Sequence, residues 1–490
     1  MFDFLNQWVV VGIISAISWL FFYIKQKQSY WEKQGVKGPK PLFLLGNVGF
    51  SKPITDNLID NYTKYGKVYG TYQGTNPHLV VGEPELLRQI CVKDFHIFPQ
   101  GFEQNYLGPV ERNFLTALYG EKWKRMRSTL SPTFTTGKMK KMFDLIKICN
   151  QEAQKELVKL TSSKDPDFDP KYFWGRYNLD VITKCCFATS FDVYNSSDDE
   201  ILRHFVEVFE PNKLKIFILL TAPKWVSRMM KISGSSTESL DYLKQLTLPI
   251  IEQRKKGNFK GNDFLQLLID AEVVSKEGEE LKGEAKKLSP DEIVSSAVIF
   301  LIAGYETTST LLTWACYRLA TNPDIQEKLY QEVSQANIED YEVLQDLPYL
   351  DAVISETLRI DSPILLFQRV PHSDYILPGT DIKIQKGTVV TIPVYAMHHD
   401  PENYPEPEVF DPNRFLEGSP KPFTFLPFGA GPRTCIGMRF ALINAKLSLA
   451  SLVRNYQLFP NDKTPSKIEH VIGAVIKTAK TLTLGIKPRC

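Results

Sequence analysis

The chain has 490 residues, long enough for two or three ordinary domains and a large core, and its 58 basic and 56 acidic side chains leave a formal net charge of +2. Those charges are mixed along the chain with no basic face, which disfavours nucleic acid as a partner. The seven cysteines are odd in number and irregularly spaced, with Cys185 beside Cys186, so they exclude a disulfide framework and fit the reduced thiols of a cytosol-facing domain.

The first element is Trp8 to Ile24, 17 residues without a charge, or about 26 Å as a helix at roughly 1.5 Å per residue. Lys25, Lys27, Lys33, Lys37 and Lys40 follow, and Asp3 is the sole charge before it, a bias that places the remainder on the cytosolic side of a membrane. A cleaved signal peptide would show a basic start and a small-residue cleavage site, and neither is present. The predicted organisation is an anchor at residues 1–24, a basic, proline-containing hinge at 25–45 and a single globular domain at 46–490. The sequons Asn61-Tyr62-Thr63 and Asn195-Ser196-Ser197 stay unglycosylated in that topology.

The body has no repeat, low-complexity tract or long linker, and helical periodicity dominates it. A small β region is predicted at Val68 to Val81, turning at Gly74 to Pro77, and around Thr388 to Val394. The clearest helix begins at Ser289-Pro290-Asp291-Glu292, with a capping serine, proline at the first position and a glutamate that closes a capping box. No proline follows before Pro323, so this helix runs about 30 residues, roughly 45 Å. Its middle reads Ala303-Gly304-Tyr305-Glu306-Thr307-Thr308. A helical glycine costs about 1 kcal/mol relative to alanine, and a glutamate in an apolar run is also costly. Gly304 leaves room beside the helix, and a threonine hydroxyl bonded to a carbonyl makes a polar notch. A later helix places Glu356 and Arg359 three apart on one face among apolar neighbours.

Phe425 to Gly437, FLPFGAGPRTCIG, sets a lone cysteine in a glycine-rich loop just before a helix. Glycines let a flat ligand approach the backbone, and a helix amino terminus favours a thiolate. No further cysteine or histidine lies within twenty residues to complete a zinc site, and a single soft ligand suits an axial position of haem iron.

Phe428 to Gly437 closely resembles the haem-binding signature of the cytochromes P-450, the haem-thiolate monooxygenases. Further marks of that family follow in order along nearly the whole chain: the anchor and proline hinge, Trp123-Lys124-Arg125-Met126-Arg127, the AGYETT segment, Glu356 with Arg359, and Phe410-Asp411-Pro412-Asn413-Arg414-Phe415. The resemblance implies a mainly α fold with a small β region, in which haem lies between the long central helix and the cysteine loop. It implies Cys435 as the axial thiolate and metal ligand. Trp123, Arg127, Arg369 and Arg433 would hold the haem propionates, with Phe428 also at the cofactor. Glu356, Arg359 and Arg414 would form a buried, structural charge triad. Thr307, with Glu306 behind it, would supply protons to the distal oxygen. Asn413 stands where many relatives carry glutamate, and Pro363 comes one residue later after Arg359 than is usual.

The same resemblance implies insertion of one atom of O2 into an apolar small molecule, a xenobiotic, steroid or lipid. Electrons would come from NADPH through a flavoprotein reductase, with cytochrome b5 as a second donor. Lys124, Arg125, Lys138, Lys140, Lys141 and Arg439 are candidates for the docking face. Thr116, Ile299, Ala303, Ile364, Leu365, Ala474 and Val475 would line the substrate pocket, and the run Leu214 to Leu220 is a candidate for contact with membrane lipid. Localisation would be the endoplasmic reticulum membrane, single-pass, facing the cytosol. Competing readings are an oxygen-independent isomerase of the same fold and a haem sensor or carrier without turnover. The Glu306-Thr307 pair argues against both.

Overall fold

The computed structural model describes residues 2–47, 52–101, 106–164, 166–189, 193–194, 200–209, 212–222, 224–257, 263–272, 287–418, 420–465, 468, 470–472 and 477–489. Ala474, Val475 and the sequon at Asn195 lie outside them. The chain is mostly helical with small sheets, and it clusters into two compact units, each assembled from separated stretches.

The first unit comprises Met1–Tyr106, Lys213–Ile232 and Leu366–Ala396. It begins with helix α1, Phe2–Lys27, closed by Lys25 and Lys27. From Trp8 to Tyr23 its large apolar side chains face outward, Trp19 at 68% and Phe22 at 69% exposure, and the stretch from Trp8 is long and apolar enough to cross a membrane. A soluble helix this apolar would bury a face, so outward apolar side chains fit a single-pass anchor. The segment after it is held to the sheet of the same unit. The Trp31 ring covers Gly70, where a Cβ would meet ring carbon at 2.3 Å, and the indole Nε1–H donates to Thr71 O at 3.0 Å. Gly38 likewise lies against the Gly70 carbonyl, closer than any side chain permits, and Gly70 N–H donates to Lys37 O at 2.8 Å. The predicted hinge is thus part of the packed unit. Strands β1 (Val68–Gln73) and β2 (Asn76–Val81) form the expected hairpin, turning at Gly74 with φ +61°. With β3 (Phe367–Arg369) and β4 (Val389–Ile392) they give the order β1-β2-β4-β3, parallel between β2 and β4 and otherwise antiparallel.

The second unit comprises Leu107–Asn212, Ser233–Leu365 and Met397–Cys490. Its helices include α2 (Gly120–Leu130), α3 (Thr136–Thr161), α4 (Pro170–Phe187), α5 (Pro290–Thr321), α6 (Pro348–Ile360) and α7 (Met438–Asn455). Strands β5 (His470–Ile472) and β6 (Lys477–Ala479) pair antiparallel. Helix α5 starts at the predicted capping box, with Glu292 N–H donating to Ser289 Oγ and Ser289 N–H to Glu292 Oε2, and runs 32 residues. Buried on most sides, it packs against α4, α6 and α7. Its closest neighbour is α4, itself buried nearly all round. Two glycines allow that approach. A Cβ on Gly304 would lie 2.2 Å from Ile182 Cδ1, and one on Gly175 would lie 2.9 Å from the Tyr305 hydroxyl oxygen. The room that Gly304 leaves is therefore filled by a side chain of α4.

Candidate functional site

Helix α5 carries the first part of the site. In its buried middle, Ile299 and Thr307 are half-buried and Ala303 is exposed, at spacing i, i+4, i+8, so one line of its surface is open. The Thr307 hydroxyl sits on that line and donates to Ala303 O at 2.8 Å, the expected carbonyl bond. Glu306 points the other way and is 4% exposed. Thr310 Oγ1 lies 3.5 Å from its Oε1 and 3.3 Å from Thr478 Oγ1 on β6, which draws the glutamate into a polar chain inside the core.

The second part is the loop before α7. Gly429 and Gly431 take φ +74° and +71°, a left-handed backbone natural to glycine. A Cβ on Gly429 would meet nothing within 4 Å, so that face of the loop is open. Cys435 N–H closes the loop on Phe428 O at 2.9 Å, and the Thr434 hydroxyl donates to Gly431 O at 2.7 Å. Cys435 is exposed, whereas Cys91, Cys149, Cys185, Cys186 and Cys316 are buried. Enough protein nevertheless stands around it to desolvate the thiol. Burial pushes its thiol up, opposed by the Gly437 amide and then by the Arg127 guanidinium. The helix amino terminus alone therefore does not make it a thiolate. A bound metal cation would, since coordination deprotonates a thiol outright.

Around Cys435 the expected cations gather from α2 and the loop itself. Arg127 Nη2 donates to Thr434 O at 2.9 Å, Arg433 Nη2 donates to Leu118 O at 2.5 Å, and the Arg433 guanidinium stacks 4.8 Å from the ring of buried Trp123. Each bond uses one N–H of a five-donor fork suited to carboxylates. Phe428 is half-buried on the same loop. Thr116, exposed, follows a short 3-10 turn (Glu111–Asn113) that packs on α5.

Arg369 belongs to the first unit, on β3, buried beside the Cys91 thiol with its guanidinium over Phe367. Leu365 is fully buried and packs in the core, in contrast with the expected pocket wall, while its neighbour Ile364 is half-buried. Arg125 is not an open docking cation: it pairs with Glu292 of the α5 capping box, with 15% and 9% of the two side chains exposed. Lys124 pairs with Glu121 at 2.7 Å and Lys140 with Glu342, both at the surface.

Behind the loop the charge triad is assembled as expected. Arg359 donates to both oxygens of Glu356 at 2.7 and 2.8 Å, both side chains fully buried, and Arg414 Nε lies 3.5 Å from Glu356 Oε1. Asp411 N–H adds a bond to that oxygen at 3.0 Å, and Arg359 Nη1 donates to His398 O at 2.7 Å. His398 was not foreseen. Its Nδ1 lies 3.2 Å from Arg359 O and its Nε2 accepts from Leu426 N–H at 2.9 Å, so the neutral ring joins the triad to the entry of the cysteine loop. Burial first, then His399 and Arg359, pull its pKa down to about 3. A lone histidine in sequence carries no sign of such a bridge.

Cys316 offers no comparable site. It is fully buried on α5, its Sγ accepts from Trp174 Nε1 at 3.2 Å, and burial pushes its thiol up to about 12. The cysteine loop, by contrast, combines an accessible sulfur, an open glycine face and arginine forks, which together fit a flat, iron-bearing, carboxylate-edged macrocycle. Comparison with known proteins agrees. The family model for cytochrome P450 matches residues 36–484. Cytochrome P450 3A2 of Rattus norvegicus is 35% identical over 502 residues, covering 99% of this chain and 97% of its own. Cytochrome P450 3A41 of Mus musculus is 35% identical over 504 residues with the same coverage, and cytochrome P450 3A29 of Sus scrofa 33% identical over 507. The chain belongs to the cytochrome P450 family and is a monooxygenase that uses haem with an axial cysteine thiolate.

Proposed function

We propose that Cys435 is the thiolate ligand, and that the enzyme oxidises an apolar small molecule, a xenobiotic, steroid or lipid, at the open face of α5. The single observation that carries the ligand assignment is the accessible Cys435 sulfur in its glycine loop, against five buried cysteines. Arg127, Arg433 and Trp123 hold the carboxylate edge of the haem, the arginines by donation and the indole by stacking under Arg433. When bound, haem supplies dioxygen activation and the oxidising power of the reaction.

The chain's own part is orientation and proton handling. Ile299 and Ala303 present apolar surface to the substrate, and Thr116 and Ile364 stand where further walls are expected. The Thr307 hydroxyl, fixed on Ala303 O, holds a proton at the accessible side of α5, and Glu306, held toward the core by Thr310, replenishes that proton by turning from Thr310 toward the open side. Electrons come from NADPH through a flavoprotein reductase, with cytochrome b5 as a further donor. Surface lysines Lys124, Lys138, Lys140 and Lys141 with Arg439 form the docking face. Helix α1 anchors the protein in the endoplasmic reticulum membrane with its catalytic part in the cytosol, and Leu214 and Phe217, both outward-facing on the first unit, meet the lipid.

The test is the difference spectrum of the reduced protein with carbon monoxide. Wild type and Cys316→Ala are expected to show the strongly red-shifted Soret band of thiolate-ligated haem, and Cys435→Ala to lose it. Loss of the band in Cys316→Ala with retention in Cys435→Ala would move the ligand to α5 and overturn the assignment.

A further inference from the structure

Where α6 ends, the backbone turns inward and buries an acid. Asp361 caps the helix, its N–H donating to Thr357 O at 2.8 Å, and its carboxylate is 1% exposed. Arg318 Nε, from the last turns of α5, donates to Oδ2 at 2.6 Å, and Lys477 Nζ, from β6, donates to Oδ1 at 3.1 Å. Lys477 is 2% exposed and its ammonium lies 5.1 Å over the Trp314 ring. Its main chain adds a bond to the same segment, with Lys477 N–H donating to Pro363 O at 2.9 Å. Ser362 Oγ then donates to Ile364 O at 2.9 Å, so residues 361 to 364 are fixed from both sides. Among residues 361 to 365, Ile364 is the one that is not buried. The next residue on β6, Thr478, meets Thr310 beside Glu306.

Burying Asp361 and Lys477 this deeply, with Arg318 half-buried beside them, costs more desolvation than a packed apolar contact would, so stability is a poor account of the cluster. What it achieves is registration. One carboxylate fixes the separations of α5, the strand β6 and the turn that presents Ile364.

We propose that Asp361, with Lys477 and Arg318, is a positioning cluster for substrate selection, setting how far Ile364 projects toward the substrate. The proposal rests on the monooxygenase reading and adds a determinant of which substrates fit. Its test uses the haem-loaded protein and two nitrogen-ligating probes followed by their Soret shifts: imidazole, which is too small to sense distant walls, and the bulky triarylmethyl imidazole clotrimazole. Asp361→Asn and Lys477→Met are expected to change clotrimazole affinity about tenfold or more while imidazole stays within about twofold. Lys477→Arg, which keeps the charge, is expected to stay near wild type. Equal changes for both probes, or none for either, would overturn the proposal. Should the single variants fail to hold haem, the Asp361→Asn/Lys477→Met pair decides, because it leaves no unpaired charge in the deeply buried part of the cluster and the one cation remaining, Arg318, keeps access to solvent. Wild-type selectivity between the two probes in that pair would refute the idea. Absence of the thiolate Soret band in wild type would instead refute the monooxygenase reading beneath it.

Discussion

Gly304 shows how one absent side chain sets a helix spacing. Replacing it with alanine gains about 1 kcal/mol of helix propensity, but places a Cβ 2.2 Å from Ile182 Cδ1. Overpacking of this kind costs about 1 to 3 kcal/mol, so Gly304→Ala is expected to lower stability on balance. Adding Ile182→Ala to Gly304→Ala is expected to cost less than the sum of the two single changes, measured by chemical denaturation. Strict additivity would show that the two positions do not share one space. The sequence marks Gly304 as an anomaly because propensity is local, but its partner lies on α4, and no local pattern names it. Thr307 was legible for the opposite reason: its carbonyl partner, Ala303, is one helical turn away.

At the level of elements, α6 is held by the bond pattern of its inward face. Glu356 receives two bonds from Arg359, one from the Asp411 amide and the approach of Arg414, without solvent access. Arg359→Met leaves that carboxylate partly uncompensated and is expected to cost about 3 to 5 kcal/mol, read from denaturation and from lost haem retention. A cost under about 1 kcal/mol would show that Arg414 and the Asp411 amide suffice. The Glu356 and Arg359 pair was legible from i, i+3 spacing, as was the Ser289 capping box from its four residues, because both are written in one turn of helix. Leu365 and Arg125 were misplaced because exposure in an irregular segment, or at a helix face, is decided by what packs against it. Asp361 and Lys477, 116 residues apart, could be joined only by the folded chain.

For the whole molecule, His398 makes stability depend on acid. Its pKa is about 3 in the folded state and 6.5 ordinarily, so between those values the unfolded chain binds more protons and stability rises with pH. At neutral pH the residue contributes no such penalty, and the penalty grows as pH falls below about 6.5, reaching about 2 kcal/mol near pH 5. His398→Gln, able to donate and accept, is expected to lose less stability than wild type between pH 7 and pH 5 in urea unfolding. Equal losses would show that the ring does not carry this acid sensitivity. At the same scale the contact of Trp31 with Gly70 ties the segment just after α1 to the β1-β2-β4-β3 sheet. The apolar run from Trp8 to Ile24, about 26 Å, is short for a hydrocarbon layer of about 30 Å, and a short span is met by local thinning of the bilayer and by flanking lysines reaching to the interface. On a loose tether that mismatch would be lost in the linker. Here the segment is packed on the sheet, so the thickness of the bilayer becomes a mechanical input to how closely the first unit is drawn onto the membrane surface.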